Sequence, residues 1–64
     1  MSWKDAKTEA SAWLTRLNLP PDLKGQEVDM ESLAKDLPQK GQFREMMVRA
    51  AIRQLKARGA KIKS

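Results

Sequence analysis

The chain has 64 residues, a net charge of +5, and neither cysteine nor histidine. That length excludes more than one domain, and the missing residue types exclude disulfides and zinc held by Cys or His. Helix packing or self-association must therefore stabilise it, and nearly every large apolar side chain is needed for the core.

Ser2 is placed to cap a first helix, with Asp5 three residues later completing a capping-box pattern. At about 100° per residue, Trp3, Ala6, Ala10, Trp13, Leu14 and Leu17 share one arc, so a helix over 3–18 buries a single face. Both tryptophans are expected in the core, away from the basic end of the chain. Pro20 and Pro21 stop the helix, because proline cannot continue the hydrogen-bond ladder. Residues 19–28 read as a connection turning at Pro20, Pro21 and Gly25, with Leu19 and Leu23 tucked back on the core.

Asp29 is the expected N-cap of a short second helix over 30–37, with Glu31 favoured by the helix dipole. Val28 and Leu33 suit a hydrophobic staple, and Met30, Leu33, Ala34 and Leu37 form one apolar stripe. Pro38 ends it. A third helix is expected over 42–58, with Gly59 as its C-terminal cap. Here Phe43, Met46, Met47, Val48, Ala50, Ala51, Ile52, Leu55 and Ala57 cover about two-thirds of the circumference. So wide an arc must touch more than one neighbour: either this helix is central, or one flank meets a partner or a second copy. The last five residues read as a loose basic tail. The expected fold is all-α, a three-helix domain with a helix-turn-helix-like pair and a short basic C-terminal tail.

Lys4, Asp5, Lys7 and Glu9 rule out an apolar leader, and no apolar run exceeds that of 46–48 by even one residue. A soluble, cytoplasmic protein that does not work on a membrane is expected. With His and Cys absent and no glycine-rich phosphate loop, neither catalysis nor a cofactor or metal is expected. The acidic run Glu27, Asp29 and Glu31 is explained by a helix N-terminus.

The charge is asymmetric. Residues 1–40 carry a net of −1, whereas Arg44, Arg49, Arg53, Lys56, Arg58, Lys61 and Lys63 face only Glu45 in residues 41–64. Arg49, Arg53 and Lys56 stand at i, i+4 and i+7, and so project within about 60° of one another. Such cations also gain from a helix C-terminus or keep an exposed face wet. The scarcity of acids favours an anionic partner, a polyphosphate chain above all. Engaging about five phosphates would give a salt slope near −4 to −5. The tryptophans could stack bases and Met46 and Met47 could form an adaptable groove, but packing accounts for all four.

The stretch 48–60, Val-Arg-Ala-Ala-Ile-Arg-Gln-Leu-Lys-Ala-Arg-Gly-Ala, resembles the recognition helix of winged-helix repressors of the gluconate-repressor type, V-R-x-A-L-x-x-L-x-x-x-G-L. Leu33-Ala34 resembles the helix before it, and Arg49 stands at the family's Val-Arg arginine. The resemblance implies DNA binding by the helix starting near Gln42. The turn is about three residues longer than the family's, Glu45 replaces a DNA-contacting arginine, and 60–63 is too short for a wing hairpin.

A DNA-binding regulatory or architectural domain is therefore expected. Arg49, Arg53, Lys56, Arg58, Lys61 and Lys63 would hold phosphates, and Lys40, Gln42 and Arg44 would reach bases. RNA is a less favoured partner. A protein-interaction or inhibitor module, or a homodimer, using the wide apolar face of the third helix is the alternative.

Overall fold

Ser2 opens the first helix as its spacing predicts, in extended backbone with Oγ accepting the Asp5 N–H at 3.2 Å. The computed structural model describes residues 2–63. Helix α1 spans Trp3–Arg16 and buries Ala6, Ala10, Trp13 and Leu14. It stops two residues before the expected limit of 18 because Asn18 turns left-handed, with φ of 58°, and two prolines follow.

The connection 19–28 and the tail are not the irregular segments expected from sequence. Strand β1, Glu27–Asp29, pairs in parallel with strand β2, Lys61–Lys63. The fold is thus mainly helical rather than purely α. Parallel strands require a crossover, which the two intervening helices supply. Val28 lies opposite Ile62 in the register, and both are half-buried against the core. Period-two alternation then puts Glu27, Asp29, Lys61 and Lys63 on the other face. The chain is laced here by the Leu23 N–H to the Arg58 carbonyl at 2.8 Å, Gly25 to Gly59 at 3.2 Å and Lys61 to Gln26 at 2.8 Å.

Asp29 caps helix α2, Met30–Ala34, accepting from the Ser32 N–H at 3.3 Å and the Ser32 hydroxyl at 3.1 Å. This helix is shorter than the expected 30–37. Pro38 disfavours helical backbone at Leu37, which reaches the core through a turn instead, its N–H donating to the Ala34 carbonyl at 3.1 Å.

Helix α3, Gly41–Ala57, is the centre of the molecule. Its Met47, Ala50, Ala51 and Leu55 are buried, and it packs on α1, α2 and β2. These three neighbours cover much of the wide apolar arc, with Phe43, Met46, Val48 and Ile52 half-buried against the core and Ala57 exposed. Among the described residues the one exposed large apolar side chain is Leu17, at 37%. The end of α3 is closed by a paired-bond cap: the Ala60 N–H donates to the Leu55 carbonyl at 3.1 Å and the Gly59 N–H to that of Lys56 at 2.9 Å. No helix of the described residues is long and apolar enough to cross a membrane.

Candidate nucleic-acid interface

Arg49, Arg53 and Lys56 are exposed along one face of α3, as their spacing predicts. The packing of α1 on α3 brings two further residues, Trp3 and Lys7, to this face, which spacing along the chain does not reveal. Trp3, at the start of α1, lies beneath Arg53, whose guanidinium carbon is 5.2 Å from the ring centroid. That is within the roughly 6 Å over which a cation is attracted to an aromatic face. Trp3, Arg49, Ile52, Arg53 and Lys56 line one shallow concavity, and Trp3, Lys7, Ala50, Arg53 and Gln54 line the next. Gln54 fastens the two helices, donating to the Lys7 carbonyl at 3.4 Å and accepting from the Ser11 hydroxyl at 3.1 Å.

Trp3 is therefore not remote from the basic residues, contrary to the expectation from its arc. Trp13 is the core tryptophan, 6% exposed, whereas Trp3 is only half-buried. The two share a face of α1, so helical periodicity alone cannot separate them. The separation comes from which part of α1 the third helix covers.

The other expected cations are dispersed. Arg44 is half-buried and donates to the Ala34 carbonyl at 2.8 Å, closing the end of α2. Arg58 is half-buried and donates to the Pro20 carbonyl at 3.4 Å. Lys61 and Lys63 are exposed but lie in register with Glu27 and Asp29 on the neighbouring strand. The Asp29 carboxyl is held below its ordinary value by the Ser32 hydrogen bonds first, with a smaller contribution from Lys63. Lys40 and Gln42 are exposed, but roughly 16 Å of helix separates Gln42 from Arg53.

Glu45 stands one turn before Arg49 and shares a depression with Arg44, Val48 and Arg49. It is the acid at the edge of the stripe. Among the described residues, no side-chain hydrogen bond joins a carboxylate to a lysine or arginine side chain. Nor do the described residues contain a group of three His, Cys, Asp or Glu side chains able to hold a metal ion. Exposed cations beside an aromatic ring can attract phosphate and offer a flat apolar face. No protein-family model, curated protein or solved structure matches this chain.

Proposed function

We propose that the protein binds nucleic acid, DNA before RNA, in a regulatory or architectural role. The observation that carries this reading is the exposed row Arg49, Arg53 and Lys56 on one face of α3, with Lys7 beside it across Trp3. A row of cations at helical spacing follows a phosphate backbone, and phosphate contacts supply most sequence-independent affinity. Supporting it, α3 packs on three neighbours, and its Phe43, Met46, Val48 and Ile52 are half-buried against the core rather than fully exposed.

The binding row is shorter than the one the sequence suggests. Arg44 and Arg58 donate to backbone carbonyls, and Lys61 and Lys63 stand in register with Glu27 and Asp29. If the likeness to winged-helix repressors extends to function, the exposed Lys40 and Gln42 are the residues left to reach bases.

The test is a mobility-shift titration from low to moderate salt with the protein and its R49A/R53A/K56A variant. All three side chains are exposed, so the variant should remain folded. The expected result is a shift at low salt that weakens by at least about tenfold in the variant. No shift by the native chain at low salt removes the proposal. Competition between duplex DNA and structured RNA ranks the two partners.

A further inference from the structure

We infer that the concavity between Trp3 and the α3 cations takes an unpaired nucleobase, so that the nucleic acid bound here is single-stranded or locally opened. The inference rests on the nucleic-acid reading above and sharpens its substrate class. Three observations carry it. Trp3 keeps part of its surface exposed although Trp13 on the same face is buried. Its ring is covered by a guanidinium rather than by an apolar side chain. The concavity it lines is completed by one apolar residue, Ile52, and by Arg49, Arg53 and Lys56.

That set matches a nucleotide: a flat π-face for the base, an aliphatic edge beside it, and cations for the phosphates on either side. The contact of an exposed cation with an indole is weaker than the stacking of a base on it. A base entering the concavity thus replaces Arg53 over Trp3, and the freed guanidinium meets a phosphate. The bases of an intact duplex have both faces covered by their neighbours, so only an unpaired base can present a face to the ring. The long, exposed side chains of Arg53 and Lys56 have the reach to rearrange.

The experiment compares a short labelled oligothymidylate, a duplex of mixed sequence and thymidine monophosphate at matched salt, with the native protein, W3L and R49A/R53A/K56A. Leucine keeps an apolar side chain against the core but has no flat face. Binding of the single strand more tightly than the duplex is expected. W3L should lose about tenfold or more on the single strand and stay within about twofold on the duplex. In nitrogen-15 spectra of the native protein, the Trp3 indole resonance should move on adding the single strand while that of Trp13 stays.

Equal binding of W3L and native protein to the single strand, with the R49A/R53A/K56A variant defective, overturns the inference and leaves the nucleic-acid reading standing. A duplex preference with an unmoved Trp3 indole does the same. Should W3L unfold, as judged by circular dichroism, the indole resonance of the native protein decides. A monophosphate that moves this resonance as strongly as the strand assigns the site to a free nucleotide and overturns the strand. Binding of none of these probes removes both readings.

Discussion

At position 59 a Cβ atom would sit 2.9 Å from the Cα of Lys24 and 3.2 Å from its nitrogen. The backbone there is left-handed, with φ of 93°. Gly59 therefore does two things: it ends α3 and lets residues 23–25 lie against that end, where they make the bonds that lead into β1. Gly41 is a useful contrast, being also left-handed, at φ of 73°, but with nothing within 4 Å of where its Cβ would stand. Gly41→Ala should cost about 1 kcal/mol, the ordinary penalty of a positive φ. Gly59→Ala adds a backbone collision and should cost about 2–4 kcal/mol. Urea unfolding of the two variants measures the difference. Equal losses would mean that residues 23–25 shift freely and do not fix the end of α3. The glycine's role as a helix stop is legible from sequence, but the close approach of Lys24, 35 positions earlier, is not.

Among the elements, the helices are readable from sequence because their cues are local: Ser2 and Asp29 as caps, Gly59 as a stop, and apolar residues at helical spacing. The strands are not. Glu-Val-Asp and Lys-Ile-Lys each give only three alternating residues, below the four to eight or so that make a period-two signal. Their pairing also joins segments that two helices separate along the chain. Asp29 belongs to both features, ending β1 opposite Lys63 and capping α2. Its carboxyl is lowered from an ordinary value of 3.8, so ionised Asp29 favours the folded state. The sign follows: this stabilisation is complete above pH 3.8 and disappears as pH falls through the lower folded value. Asn at 29 retains a capping acceptor without the charge. Urea midpoints should therefore show the native protein ahead of Asp29→Asn at neutral pH, with the gap closing on acidification. A gap that stays constant with pH would assign the effect to cap geometry alone.

Over the whole molecule, folding redistributes a charge that looks continuous in the sequence. Seven cations follow residue 41 with one acid between them, yet they divide among three tasks. Arg44 and Arg58 hold carbonyls of α2 and the connection after α1. Lys61 and Lys63 lie in register with the acids Glu27 and Asp29 of β1. Arg49, Arg53 and Lys56 remain on an open face, joined there by Lys7 from the half of the chain whose net charge is negative. The stripe itself is legible because i, i+4 and i+7 spacing survives in any helix. The dispersal of the others is not, since it depends on contacts made across the fold. This partition has a thermodynamic signature. Each phosphate neutralised contributes about −0.9 to the slope of log affinity against log salt on duplex DNA, so three or four cations give a slope near −3. Engagement of the tail as well would bring it to about −5. The expected slope is the shallower one, and K61Q/K63Q should leave it unchanged because those lysines stand in register with the acids of β1, away from the α3 row. A slope near −5 that flattens in K61Q/K63Q would mean that the binding face extends across the sheet to Lys61 and Lys63.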